Sequence, residues 1–219
     1  MKKLDVPQSG SQANTTASRN RFGQYNRTRA MPVNPNSARQ VIARGRLTEL
    51  SVAWRDLSDS ERAAWNEYGA AHPRTDSLGQ TVYPTGHQSF VGVNSALINA
   101  SLAQVTVPPV DVDIEAPVIT PTAEEAAFTV AYTPTPVPTS HRLVVEASPA
   151  VSAGRTFNGD YRFVASAAAA AASPLDIFTA WTAKFGGLQE GKKVFLRARL
   201  VRATGQVGAY ATVSTIVVA

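Results

Sequence analysis

The sequence predicts an α+β multidomain protein: an extended N-terminal arm, a small three-helix module and a C-terminal antiparallel β-sandwich. Three observations predict it. Residues 1–36 hold few apolar side chains and sustain neither a helical nor a strand period. Residues 37–103 carry apolar side chains at helical spacing behind capping signals. From residue 118 onward, short alternating apolar runs recur between turn signals.

Length and composition set the bounds. A chain of 219 residues holds one or two modest domains that can bury a core. The hydrophobic fraction of 44% is ordinary, while the charged fraction of 17% is low because Ala, Thr, Ser and Val fill surface positions. With no cysteine, disulfides, thiolate metal sites and cysteine nucleophiles are excluded. No apolar run approaches the roughly 20 residues of a membrane helix. The start, Met1-Lys2-Lys3-Leu4, has charge without an apolar stretch behind it. A soluble protein made in a cytoplasm, with no membrane partner, is expected.

The arm takes residues 1–36. Up to residue 48 there are nine Lys or Arg against the single acid Asp5, whereas the rest carries twelve bases against fifteen acids. A basic end of this kind points to an acidic partner, either a protein surface or nucleic acid. In Ser18-Arg19-Asn20-Arg21-Phe22-Gly23-Gln24-Tyr25-Asn26-Arg27-Thr28-Arg29, Arg alternates with polar and aromatic residues. In an extended chain Arg19 and Arg21 would share a face, as would Arg27 and Arg29, with Phe22 opposite. Arg forks in an acidic groove between protein subunits suit this pattern; stacked bases suit it too. Met31-Pro32-Val33-Asn34-Pro35 disfavours helix and ends the arm.

The helical module takes residues 37–103. Ser37 opens a helix over about 38–57 with a stripe of Val41, Leu47, Leu50, Trp54 and Leu57. Ser58-Asp59-Ser60-Glu61 is a capping box, and the helix behind it turns Ala64, Trp65, Tyr68 and Ala71 inward. After an irregular stretch over 74–84, Thr85 to Gln88 repeats the capping pattern. The third helix buries Phe90, Val93 or Asn94, Leu97 and Ile98. Residues 104–117, proline-rich and acidic, read as a stiff linker.

The sandwich takes residues 118–219. Phe128, Val130 and Tyr132 alternate with small residues; Leu143, Val145 and Ala147 alternate with Arg142, Val144 and Glu146. Val194, Leu196, Ala198 and Leu200 alternate with Phe195, Arg197, Arg199 and Val201, and 212–218 is β-branched. The alanine run 165–172 fits a helix or a loop feeding a strand, and Ser173 to Asp176 could cap a helix carrying Ile177, Phe178 and Trp181.

Candidate sites are few. His72, His87 and His141 lack metal-ligand spacing. No nucleophile elbow, Walker loop or dinucleotide fingerprint occurs, and Asp111, Asp113 and Glu115 lie in the linker. The chain is therefore expected to be non-enzymatic, with no catalytic residue, cofactor or metal. The residues expected to meet a partner are Arg19, Arg21, Phe22, Tyr25, Arg27, Arg29, Trp54 and Trp65, although Trp at helical spacing is more often core.

Two resemblances follow from these residues. Leu188-Gln189-Glu190-Gly191, then Lys192 to Val201 with alternating Arg, then Thr204-Gly205 and a closing β-run, resembles the end of a fibronectin type III or related immunoglobulin-like domain. That family carries a Trp in its second strand, where Phe128 and Tyr132 stand here. The second resemblance covers 10–103. Ser18 to Tyr25, Pro32-Val33-Asn34-Pro35-Asn36, Trp54-Arg55-Asp56-Leu57-Ser58, Arg62-Ala63-Ala64-Trp65 and Thr85-Gly86 with Phe90-Val91 and Asn94 resemble small proteins encoded near the structural genes of tailed phages. It implies a virion component, and a capsid decoration or cement protein is the kind expected here. Its arm would clamp neighbouring major capsid proteins or other virion proteins, and its sandwich would be displayed. A neck, tail or fibre-attachment ring, which is a homo-oligomer, is the alternative. A nucleic-acid-binding packaging protein is the alternative of another class. A carbohydrate-binding adhesin is a further reading, against which the sandwich aromatics fall at inward-looking positions.

Overall fold

The chain folds as two units, Met1–Val91 and Gly92–Ala219, in a computed structural model that describes residues 2–3 and 8–219. Residues 1 and 4–7 of the expected arm lie outside the described residues. Four helices and several antiparallel sheets among the described residues make the chain α+β.

In the first unit the expected arm is a sheet. β2 (Gly10–Gln12), β3 (Thr15–Asn20) and β4 (Gly23–Thr28) follow one another, and β1 (Lys2–Lys3) pairs with the free side of β4. Turn chemistry makes these strands where hydrophobic patterning is silent. Asn20 Oδ1 accepts the Phe22 N–H at 2.9 Å, and Gly23 sits at φ 110°, a conformation that favours glycine. The backbone pairing of Asn20 with Gly23 then zips Thr15 against Thr28.

α1 (Ala38–Asp56) begins at Ser37, whose N–H is accepted by Gln40 at 3.2 Å. Arg44 reaches back to Asn34 and Asn36, at 2.9 and 3.1 Å, and fastens the proline segment to the helix. Of the expected stripe, Leu50 and Leu57 are buried while Val41 and Leu47 are exposed. α2 (Asp59–Ala71) starts with the expected box: Ser58 N–H donates to Glu61 at 2.9 Å and Ser58 Oγ accepts the Glu61 N–H at 3.3 Å. Ala71, expected inside, is exposed. Gly69 is required by close approach, because a Cβ there would overlap the Pro84 carbonyl oxygen. The stretch over 74–84 contains a small hairpin, β5 (Arg74–Thr75) with β6 (Thr81–Val82). α3 (Gly86–Asn99) opens at Thr85, whose side chain and N–H both exchange hydrogen bonds with Gln88.

The division falls inside α3, with residues 86–91 in the first unit and 92–99 in the second. Phe90 packs edge-on to Trp65, with ring centroids 5.4 Å apart, in the first unit. Leu97 and Ala100 pack on Val144 and Val201 in the second.

In the second unit two sheets enclose one core. β7 (Val118–Ala123), β8 (Phe128–Thr133) and β12 (Leu175–Asp176) make one, in the order β12-β8-β7. The other is built on β13 (Lys192–Arg202). β9 (His141–Ala147) and β10 (Val151–Ser152) lie along one of its sides, with β11 (Arg162–Ala167) outside β9, and β14 (Ala211–Ile216) lies along the other. Phe128 and Val130 from one sheet meet Leu143, Val145, Val194 and Leu196 from the other.

Trp181, on α4 (Phe178–Phe185), is fully buried in this core; its indole N–H donates to Ser148 O at 3.2 Å, and Phe128 packs edge-on at 6.0 Å. A helix does follow Ser173 to Asp176, but its N-cap is Ile177, which makes no side-chain cap, and Leu175–Asp176 form β12; Asp176 Oδ1 accepts the Phe178 N–H at 2.9 Å. The alanine run is not helical. Residues 165–167 finish β11, where pairing with β9 overrides alanine's helix preference, and the rest turns through Ala170 at φ 61°.

Residues 104–117 have no regular structure, but they are not a free-standing linker. Asn94, fully buried, donates to Val105 O at 3.2 Å and accepts its N–H at 2.8 Å, and Ile114 packs against the core.

Trp181→Ala leaves a large cavity and is expected to destabilise the second unit by about 3–5 kcal/mol, measured by urea denaturation followed by far-ultraviolet circular dichroism. Asn94→Ala leaves the part-buried amide of Val105 without its partner and is expected to cost about 1–3 kcal/mol, read as lost hydrogen-exchange protection at Val105.

Candidate functional site

Cross-strand partners in a hairpin share a face, and the register of β3 and β4 therefore decides where the arginines point. Arg19 stands opposite Gln24 and Arg27 opposite Thr16. Because Gln24 and Arg27 are three apart on one strand, Arg19 and Arg27 fall on opposite faces. The hairpin thus divides the arm's arginines between two faces. Arg21 and Phe22 occupy the turn between the strands, the guanidinium 4.5 Å from the ring centre and Phe22 64% exposed. Tyr25 is half-buried opposite Ser18, and Arg29, beyond β4, donates to Ala13 O at 3.4 Å.

The two tryptophans divide. Trp54 is half-buried, its ring 5.6 Å from both His87 and Phe90. Trp65 is fully buried, between Phe90 and Tyr68, and offers a partner no surface. The reason is packing: large aromatics at helical spacing are the cheapest way to fill a small core.

The surface of α1 is one apolar feature of this unit. Val41, Ile42, Leu47 and Val52 are all exposed, and Val41, Gly45, Thr48 and Val52 are spaced to make one outward stripe, opposite the buried Leu50. A Cβ added at Gly45 would meet nothing.

The histidines are spoken for locally. His72 Nδ1 lies 2.7 Å from Tyr68 O with its ring stacked on Tyr68, His87 Nε2 lies 3.4 Å from Ser51, and His141 Nδ1 lies 3.1 Å from Ser140. Among the described residues no group of three or more His, Asp or Glu is placed to hold a metal. No described helix is long and apolar enough to cross a membrane.

A second surface lies on the outer face of the β13 sheet, and sequence reasoning missed it. The Arg197 guanidinium sits between two rings, 4.5 Å from the centre of Tyr161 and 4.2 Å from that of Tyr210. Its Nε and Nη2 both reach Glu146 Oε2 at 2.6 Å, and Tyr210 OH donates to Glu146 Oε1 at 3.2 Å. The remaining N–H groups of Arg197 have no hydrogen bond to the described residues. An open groove of about 530 Å³ runs over this cluster, lined by Phe157, Tyr161, Phe195, Tyr210, Thr212 and Ser214 among others. The signal was the alternation of Phe195, Arg197 and Arg199 along β13. The aromatics that face them come from a loop (Phe157, Tyr161) and from Tyr210 just before β14, which have no period to read.

No known family model and no curated protein matches the chain. Among solved structures, a β-1,2-glucanase from Parabacteroides distasonis matches at 16% identity with a TM-score of 0.31, covering 51% of this chain and 14% of that one. The expectation of a non-enzymatic chain is corrected here. The matched protein is an enzyme, and a likeness this low bears on catalysis in neither direction, so the non-enzymatic reading has no support and is withdrawn.

Burial first, opposed by Arg199 and then helped by Glu146, raises the Tyr210 phenol above its ordinary value. The folded state thus holds this proton more tightly than the unfolded chain. Its contribution is complete below the ordinary phenol value of about 10 and is lost as pH rises through the folded value. Relative to Tyr210→Phe, the natural chain is expected to lose stability above about pH 10, measured by chemical denaturation across a pH series.

Proposed function

We propose that this chain is a virion structural protein, a decoration or cement protein seated on neighbouring capsid subunits, whose second unit is an immunoglobulin-like sandwich of the fibronectin type III kind. The observation that carries the proposal is the outward face of α1. Val41 and Val52 stand 51% and 42% exposed there. Four exposed apolar side chains on one helix, Val41 and Val52 on one face with Ile42 and Leu47 to either side, suit a protein that covers them. Arg39, exposed on the same helix, suits a partner surface with acidic groups at its rim.

Two further features support it. The hairpin presents Arg19 on one face and Arg27 on the other, which suits insertion between two acidic surfaces better than laying an arm along one. In the second unit, the strand order β12-β8-β7 against β11-β9-β13-β14 agrees with the fibronectin type III resemblance, as does the buried Leu188 ahead of Gly191 at φ 73°.

Sedimentation velocity on the purified chain at moderate salt tests the proposal. A monomer is expected, because the seat is supplied by the capsid lattice, and Val41→Glu with Val52→Glu should leave that monomer unchanged. A discrete closed oligomer that the same double variant dissolves would overturn the decoration reading in favour of a neck or tail ring.

A further inference from the structure

The outer face of the β13 sheet is divided. At one end Val144 and Val201 are covered by Leu97 and Ala100. The other end is the aromatic groove, with Phe157 at its rim, 72% exposed. That ring is not displayed by a slack loop. Arg155 Nε donates to Phe157 O at 3.1 Å, Lys193 Nζ donates to Arg155 O at 3.2 Å, and Asn158 Oδ1 accepts the Asp160 N–H at 3.1 Å. The chain holds a large apolar ring in water with several hydrogen bonds, which a purely structural loop has no need to do.

The chemistry of the groove narrows its ligand. Arg197 is the one charged side chain in the lining, and Glu146 behind it balances that charge. The pair leaves the lining close to neutral, which favours a neutral ligand over an anion or a cation. What remains is a set of ring surfaces edged by the hydroxyls of Thr156, Thr212 and Ser214 and by Arg197 N–H groups, with the guanidinium plane locked between two tyrosines. An extended peptide docking by strand addition would need backbone donors from a strand edge. This groove is lined by side chains on the outer face of the sheet, Phe195, Arg197, Thr212 and Ser214 among them. A ligand with one apolar face and a rim of hydroxyl groups fits: a pyranose ring.

We propose that this groove binds a neutral hexose polysaccharide, a sugar ring stacking its C–H face on Phe157 and Tyr161 while its hydroxyls meet Arg197, Thr212 and Ser214. Aromatic faces carry partial negative charge and attract polarised C–H groups, and a few fixed polar groups then set orientation. The inference needs only the second unit and does not depend on the virion reading.

The test is native electrophoresis of the full chain through gels cast with soluble neutral polysaccharides: hydroxyethyl cellulose, dextran, galactomannan and glycogen. Retardation in at least one gel is expected, and Phe157→Ala and Tyr161→Ala should each weaken it by at least about tenfold, as loss of an aromatic anchor does. Phe157→Ala removes an exposed ring, so its thermal unfolding should match that of the natural chain and separate lost binding from lost folding. No retardation in any gel overturns the proposal. So does retardation that Phe157→Ala leaves intact, or retention only by polygalacturonate that added salt abolishes, which is charge capture. Failure here leaves the sedimentation result, and the proposal it tests, untouched.

Discussion

The second unit depends on one strand that is used on both edges and both faces. β13 pairs with β9 and β10 along one edge and with β14 along the other, so its backbone is committed for almost its whole length. Val194, Leu196 and Ala198 are then forced inward and fully buried, and Leu200 follows them. The same pleat forces Phe195, Arg197, Arg199 and Val201 outward. A slip of one residue would put two arginines in the core, which fixes the register more firmly than any single contact. The groove is therefore a consequence of core formation: whatever buries Leu196 also presents Arg197.

The outward residues need their own stabilisation, and the sheet supplies it unevenly. Val201 is covered by an apolar helix, while Arg197 is held by a carboxylate and two aromatic rings. Glu146 is directly opposite Arg197 in the β9–β13 register, so the ion pair is a cross-strand pair of the kind that stabilises sheets. Its carboxylate is mostly shielded from water, which strengthens the pairing beyond that of an exposed ion pair.

In the first unit the constraint is different. Aromatic packing of Trp65 with Phe90 and Tyr68 supplies the core, and the hairpin of β3 and β4 rests on backbone pairing and turn chemistry. Few apolar residues enter that hairpin, and most of its side chains stay at least partly exposed, with Gln24 the buried exception.

The sequence by itself determined the helix starts, the alternation of β8, β9 and β13, and the clearest core positions, because capping pairs and periodicity are local properties. Ser58 with Glu61, Thr85 with Gln88, and Leu196 with Ala198 can be read without knowing their neighbours. It did not determine that residues 10–28 form a sheet, since a strand held by turns and backbone hydrogen bonds leaves no apolar period. Nor did it determine which face each arginine takes, which needs the register of a partner strand. Trp181 gave a helix signal but no hint that its indole would fill the sheet core. The groove was the least legible feature, because Phe157, Tyr161, Arg197 and Tyr210 are scattered over more than fifty residues. Only tertiary structure decided that they meet, because long-range pairing is set by how two sheets close over one core and not by what stands next in the chain.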